Sequence, residues 1–352
     1  MLIVRSPLRI SLAGGGTDLP VYYREYGGKV INLAIDRYFY VFLRTSPHDH
    51  GIQIASADFQ AYDRIGKTSW QGVLELPRAI FRHFGIYHGI SLFLASEVPP
   101  GTGLGSSSTV AVGLIKALAT AVDFHLSKKE IAELASYIEI EVLGAPIGKQ
   151  DQYAAAFGGI NLLQFEAQET AITHLLLPVE NLRALAQNLL LFYTGRTRKA
   201  NQILAQQRDA SLSKKKPVLE ALHRVKEMVQ PVKDILEKGD MAALGSFLHQ
   251  NWLEKKKFAK EVTNPFIDAC YDLARQEGAW GGKITGAGGG GFLLLCCPED
   301  RQEAITQALE LQGLARVNFS IDHSGARVLM NSGLGLTSYL SWKPPLDLCR
   351  RV

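Results

Sequence analysis

The sequence predicts a mixed α/β protein in two domains, residues 1–185 and 186–352. Three observations carry that reading. The first half is rich in β-branched and aromatic runs. A stretch of mostly polar helices follows from about Lys199 to Lys260. The 352 residues, 47% hydrophobic and 20% charged, suffice for two cores of ordinary size.

Taken in order, Leu2 to Leu12 reads as a strand broken at Pro7, because proline offers a ladder no N–H. Gly14-Gly15-Gly16 is a loop, and Leu19 to Glu25 forms a short helix. Lys29 to Leu43, rich in Val, Ile, Tyr and Phe, gives one or two strands. Apolar spacing predicts a helix over Gly72 to Phe84, and Gly89 to Glu97 is a strand. Thr109 to Asp123 has hardly a polar residue, so its helix is buried on most sides. Ser127 and Glu130 stand at capping-box spacing and open a helix that reaches Leu143. Ile160 to Leu177 reads as a strand pair, and Leu189 to Tyr193 begins the second domain. Two or three helices fill Lys199 to Lys260. A helix (Pro265 to Glu277), a strand (Gly282 to Thr285), a glycine loop, a strand (Phe292 to Cys297), a helix (Glu299 to Gln312) and strands near Arg316–Ser320 and Arg327–Asn331 complete the chain.

A net charge of +4 suits anionic small molecules and is too weak and scattered for nucleic acid. The runs Lys214-Lys215-Lys216 and Lys255-Lys256-Lys257 read as solvated helix faces. Cys270, Cys296, Cys297 and Cys349 show no CxxC spacing, which argues against zinc and for buried thiols in a reducing cytoplasm. The adjacent Cys296 and Cys297 point to opposite faces of their strand. The N-terminus lacks a signal peptide's apolar core, and no stretch of about 18 uncharged apolar residues spans a membrane.

The stretch "PPGTGLGSSST", Pro99 to Thr109, carries the first chemistry. Gly101, Gly103 and Gly105 allow a tight turn with exposed N–H groups, and a helix starting near Ser107 adds its positive end. Together they make an anion site, with phosphate the natural occupant. Pro100, Thr102 and Leu104 complete the loop. Ser106, Ser107 and Ser108 supply hydroxyls for phosphate oxygens or one Mg²⁺. Neither a Walker A loop nor a Rossmann fingerprint fits this spacing.

These residues resemble the second signature of the GHMP kinases: Pro, three residues, Gly-Leu-Gly-Ser-Ser. Pro99, Gly103, Leu104, Gly105, Ser106 and Ser107 match it in order. "RSPLRISLAGGGTDLP" (Arg5 to Pro20) is similar to the family's N-terminal substrate motif, and "KITGAGGGGFLLLC" (Lys283 to Cys296) to its C-terminal glycine loop. The resemblance implies a two-domain α+β fold, with a ribosomal protein S5 domain 2-like N-terminal domain and a ferredoxin-like C-terminal domain. Nucleotide and acceptor would lie between them. It implies an ATP- and Mg²⁺-dependent kinase acting on a small molecule, as monomer or homodimer.

By the same resemblance Asp151, in "IEIEVLGAPIGKQDQYAAAFGG", is the base at the accepting hydroxyl, and Gln152 beside it binds the substrate. Glu139 and Ser107 hold Mg²⁺, with Glu141 as the alternative acid. Arg9 sits near the transferring phosphate; a structural salt bridge is the other reading. Gly14, Gly15, Gly16, Thr17 and Asp18 belong to the acceptor site, as do Gly286, Ala287 and Gly288. Gly15-Gly16 stands where galactokinases usually have Glu-His, which argues against galactose. The fragments "PLRISLAGGGTDLPVYYREYGG" and "LLLFYTGRTR" resemble the heptose 7-phosphate kinase branch, which implies transfer to the anomeric oxygen of a sugar phosphate. Arg196, Arg198 and Lys199 would then bind the distal phosphate, arginine forks being suited to phosphate, or else form an ordinary basic helix start. The alternatives are another acceptor (free heptose, fucose, galactose or a mevalonate-type alcohol) and a non-catalytic sugar or nucleotide sensor.

Overall fold

The computed structural model describes residues 1–46, 51–56, 61–65, 74–99, 101–195, 200–334 and 336. Pro100, Arg196, Arg198, Lys199 and Cys349 lie outside the described residues.

The first half of the chain runs β1 (Leu2–Ala13), α1 (Pro20–Tyr26), β2 (Gly28–Thr45), β3 (Ile52–Ser56), β4 (Ala61–Ile65), α2 (Glu75–His83), β5 (Ile90–Ser96), α3 (Ser106–Ala121), α4 (Lys128–Tyr137), α5 (Gln150–Phe157), β6 (Ile160–Phe165), β7 (Thr170–His174) and α6 (Val179–Asn188). These strands, joined at one edge by β12 (Arg327–Asn331), form one sheet in the order β12-β1-β2-β5-β3-β4, with β6 and β7 added alongside the start of β2. The 18 residues of β2 let it serve two neighbours on one side: Gly28–Leu33 pairs with β6 and Phe39–Thr45 with β5. Only β3 and β5 run parallel among the described pairs.

The second half runs β8 (Leu189–Tyr193), α7 (Ala200–Leu212), α8 (Lys216–Glu227), α9 (Val229–Lys238), α10 (Met241–Lys255), α11 (Pro265–Gln276), β9 (Gly281–Ile284), β10 (Phe292–Cys296), α12 (Gln302–Leu311), β11 (Ala315–Arg316) and β12 (Arg327–Asn331). An antiparallel sheet, β11-β8-β10-β9, collects the strands up to β11, whereas β12 returns to pair with β1. The first sheet therefore draws strands from both sides of residue 185, which itself lies inside α6.

Some elements differ from the sequence expectation for local reasons. Pro7 does not break β1; the strand continues, with a register shift between Pro7 and Leu8 where the ladder lacks a donor. Helix α3 begins at Ser106, so the three serines are its first turn. The helix from Ser127 keeps its capping box, with Glu130 N–H donating to Ser127 Oγ at 3.2 Å and Ser127 N–H to Glu130 Oε2 at 2.6 Å. After Tyr137 it widens into a π turn over Ile138–Val142. Four helices, not two or three, span 200–255. Beyond Arg316 the expected strand does not form, and β3, β4 and α6 had no sequence expectation.

Helices α2 to α5 cover one face of the first sheet, and α3 is buried nearly all round, as its composition requires. A second core lies between the two sheets, and a third lies beyond the second sheet under α7, α8, α10, α11 and α12. Cys296 enters the second core and Cys297 the third, the opposite facing expected of strand neighbours. Burial pushes both thiols up, so they are inert packing residues. No described helix is long and apolar enough to cross a membrane.

Candidate active site

Two glycine loops meet at a cleft of about 550 Å³. One is the turn Gly101–Gly105 leading into α3; the other joins β9 to β10. They touch backbone to backbone: a Cβ on Gly286 would lie 2.5 Å from the Gly103 Cα, in a left-handed conformation with φ +61°. Gly105 precedes α3 with φ +83°, and a Cβ there would meet Asp151 Oδ2 at 3.0 Å. Any side chain at either position would part the loops or displace the carboxylate.

The first N–H groups of α3 have no carbonyl one turn earlier to bond and point into the cleft end of the helix. Ser106 lines the cleft, and its Oγ is buried and without a partner among the described residues. The turn Gly101–Gly105 offers backbone rather than side chains: Thr102 is buried and donates to Pro99 O at 3.0 Å, and Leu104 packs in the core between the sheets. Thr102 and Leu104 therefore take part in the loop through their backbone.

Asp151, the second residue of α5, lines the cleft beside Gly105. Both its oxygens accept from one guanidinium, Arg9 Nε to Oδ1 at 2.6 Å and Nη2 to Oδ2 at 2.8 Å. Arg9 Nη1 also donates to Gly103 O at 2.7 Å. Arg9 is 5% exposed, so a single buried fork ties β1, α5 and the first glycine loop together. The two readings of Arg9 merge: it is a salt bridge, and its partner is Asp151.

Glu139 sits in the π turn, 2% exposed, and still lines the cleft. It accepts from Ser107 Oγ at 2.9 Å and from Gln152 Nε2 at 2.7 Å. Burial pushes its carboxyl up to about 7, with bonds from Ser107, Ser108 and Gln152 pulling down and the Asp151 charge pushing up. Glu141 instead faces outward and accepts from Arg24 at 2.7 Å. Of the two acids, Glu139 is the one on Ser107.

The turn Gly14–Asp18 does not line this cleft. Thr17 is buried and its one hydroxyl proton lies between Gly14 O at 2.8 Å and Lys29 O at 2.9 Å, so the hydroxyl closes the turn rather than facing a ligand. Gly14 packs on Lys29 O, and Gly16 faces Gln207 of α7 and Phe258. Gly15 stands over Ser11 Oγ, which is buried and has no partner among the described residues. Asp18 accepts from Gly16 N at 3.0 Å and from Gln150 Nε2 at 3.1 Å on both oxygens. Burial and then the nearby Asp151 charge push its carboxyl up. Gln152, expected at the substrate, is fully buried on Glu139; Gln150, two residues earlier, takes the place at Asp18. Gly286 and Ala287 line the cleft, whereas Gly288 packs against Val262.

Residues 71–159 match the GHMP kinases N terminal domain, and residues 232–313 match GHMP kinases C terminal. The D-glycero-alpha-D-manno-heptose 7-phosphate kinase of Campylobacter jejuni is 34% identical over 333 residues, 92% of this chain and 97% of that one. The chain belongs to the GHMP kinases.

It is therefore a phosphotransferase. The solved structure of a D-glycero-D-manno-heptose 1-phosphate kinase from Bacteroides thetaiotaomicron superposes with a TM-score of 0.78 at 27% identity, covering 95% of this chain and all of that one. Lactococcus lactis galactokinase complexed with galactose gives a TM-score of 0.71 at 18% identity over 93% and 94% of the two chains, a likeness of fold alone. Sequence reasoning missed three residues of this kinase's cleft region. Gln150 carried no motif signal beside Asp151. Lys283 was seen only as the edge of a glycine motif, yet its Nζ crosses from β9 to β1, donating to Leu12 O at 2.9 Å and Asn251 Oδ1 at 3.2 Å. Burial, then Arg9, pushes that ammonium down to about 7. Lys255 is the third. The apolar wall formed by Phe39, Leu74, Pro77, Leu94 and Val110 was likewise not foreseen.

Proposed function

We propose that this protein is a cytoplasmic, ATP-dependent sugar kinase that phosphorylates the anomeric hydroxyl of D-glycero-D-manno-heptose 7-phosphate, giving the 1,7-bisphosphate. The observation that carries the reading is the Arg9–Asp151 fork set beside the N-terminus of α3 in one cleft. Phosphoryl transfer needs positioning, charge stabilisation and a group to take the hydroxyl proton. Each Asp151 oxygen spends one lone pair on Arg9 and keeps another for the acceptor hydroxyl. Arg9 orients that carboxylate and brings positive charge close to the transferring group. The α3 N–H groups and Ser106 Oγ receive phosphate oxygens.

Ser107 Oγ and the Glu139 carboxylate are hard oxygen donors on one side of the phosphate end, a donor set that fits Mg²⁺, which keeps its other positions for water and phosphates. When bound there, the ion neutralises charge on the β- and γ-phosphates. The acceptor side follows the family resemblance: Asp18, which is buried on Gly148 and Gln150 rather than on the cleft lining, and Arg196, Arg198 and Lys199 for the distal phosphate. Those three lie outside the described residues, but Asn201 and Gln202 just after them line the cleft. The heptose 7-phosphate reading draws on the Campylobacter relative's name and on the quoted motifs.

The test is ADP release over a panel of sugars and sugar phosphates, with ³¹P NMR of the product. A new phosphoryl group at C1 of heptose 7-phosphate is expected. Arg196→Ala or Arg198→Ala should raise KM for heptose 7-phosphate and leave the unphosphorylated sugar unaffected. Preference for an unphosphorylated sugar or a non-sugar alcohol would overturn the acceptor.

A further inference from the structure

The run Lys255-Lys256-Lys257 behaves as a solvated face only in part. Lys256 pairs with Asp268 and Lys257 with Glu254, both outward. Lys255, the last residue of α10, is 9% exposed and turns under the β9–β10 loop. Its Nζ donates to Ile284 O at 2.8 Å and to Gly286 O. A lysine ending a helix commonly serves its own helix's last carbonyls; this one serves the glycine loop.

The consequence follows from peptide geometry. In a trans peptide the C=O and the following N–H point in opposite directions. With Gly286 C=O held toward Lys255, the Ala287 N–H points away from it. Gly286 and Ala287 line the cleft together with Ser106, Ser107 and Asp151. Among the described residues no group accepts from the N–H of Gly286, Ala287 or Gly288, while the far end of the loop is tied down by Gly289 N to Val262 O at 2.6 Å and Thr194 N to Gly291 O at 2.9 Å. An ammonium on the carbonyl also polarises the peptide and makes its N–H a stronger donor.

We propose that Lys255 is a positioning residue for phosphoryl transfer: it fixes the Gly286–Ala287 peptide so that the Ala287 N–H donates to oxygens of the transferring group, across the cleft from the α3 N-terminus. The proposal rests on the kinase reading of this cleft but not on the identity of the sugar.

The full-length protein tests it through Lys255→Met, Ala287→Pro (which deletes the N–H itself) and the double variant. Removing a preorganised donor commonly costs about 10²–10³ in kcat; acting through one peptide, Lys255→Met should lower kcat about 10- to 100-fold with KM for ATP within about threefold. Added to Ala287→Pro it should lower kcat no further, because both act through one N–H. Unchanged kcat, a rise in KM alone, or an equal further loss in the Ala287→Pro background would overturn the proposal. A second readout needs no acceptor and covers a poorly folding Ala287→Pro. In ¹⁵N-alanine-labelled protein, the Ala287 amide, assigned with Ala287→Gly, should shift on adding MgADP with aluminium fluoride, and the shift should vanish in Lys255→Met. An Ala287 amide that stays still in the native protein, or moves equally in the variant, sinks the idea. If heptose 7-phosphate is no substrate, the acceptor fails while the amide experiment still decides the role of Lys255.

Discussion

Glu139 offers a test that reads burial directly. Its carboxyl is pushed from an ordinary 4.5 up to about 7, chiefly by burial. Between those values the folded chain holds a proton that the unfolded chain has released. Stability contributed by the neutral acid is therefore fully present below pH 4.5 and is lost as pH rises toward 7. At about 1.4 kcal/mol per pH unit, the window amounts to about 3 kcal/mol. Glu139→Gln has nearly the same shape and never ionises. Its amide can donate to Ser107 Oγ while its oxygen accepts from Gln152, reproducing both contacts of the neutral acid. Urea denaturation of native protein and Glu139→Gln, without Mg²⁺, from pH 4.5 to 8 should show the variant gaining about 3 kcal/mol on the native chain across the window. Adding Mg²⁺ and ADP should shrink that gain, because a cation stabilises the carboxylate that burial disfavours. Parallel curves for the two proteins would mean that Glu139 is ionised throughout and that burial does not govern it.

Asp151→Asn should retain nucleotide binding by calorimetry and lose about 10²–10⁴ in kcat, the range for a positioned base; near-native turnover would remove Asp151 from the chemistry. Ser107→Ala and Glu139→Ala should each weaken turnover with partial rescue by added Mg²⁺, and the double variant should cost less than the two losses combined, since both would act on one ion. Gln150→Leu leaves the buried Asp18 without its side-chain donor, which should cost about 1–3 kcal/mol in thermal or urea denaturation and raise KM for the acceptor with little change for ATP; an unaltered acceptor KM would detach Asp18 and Gln150 from the substrate side.

The legible part of this protein was the part written in local chemistry. Three glycines before three serines announce a tight turn feeding a helix, and the structure has both, because glycine's left-handed freedom and the helix start are properties of neighbouring residues. The capping box of Ser127 and Glu130 is equally local. Long-range partners were not legible. Pro7 suggested a break, yet the cross-strand pairing of β1 with β2 on both sides of it outweighs one missing donor. Strand β12 reads like its neighbours in the second half, and nothing in its five residues says that it will cross back to β1. The Asp151-Gln152 pair shows the same limit at the site. Motif likeness put Gln152 on the substrate, but the helical rotation of α5 turns Gln152 to Glu139 and Gln150 to Asp18.

The lysines separate the two kinds of information most sharply. Lys255, Lys256 and Lys257 are identical letters in a row, and composition assigns them one fate. A helix end distributes them by angle: two reach surface carboxylates, and the third is carried under a loop 30 residues away in sequence. Burying an ammonium is costly unless carbonyl or carboxylate oxygens replace water around it. The end of β9 and the loop after it supply such oxygens: the carbonyls of Ile284 and Gly286, two residues apart, both turn toward Lys255. The loop thus serves two ends: close backbone contact with Gly103, which only absent side chains permit, and a pair of carbonyls that holds a cation from below. Lys283 meets the same requirement differently, spending its donors on Leu12 O of β1 and on Asn251 Oδ1 of α10. Lys255 thus sets its charge beneath the Gly286–Ala287 peptide, where a ligand in the cleft meets N–H groups first, whereas Lys283, whose ammonium burial pushes down to about 7, ties β9 to β1 and α10.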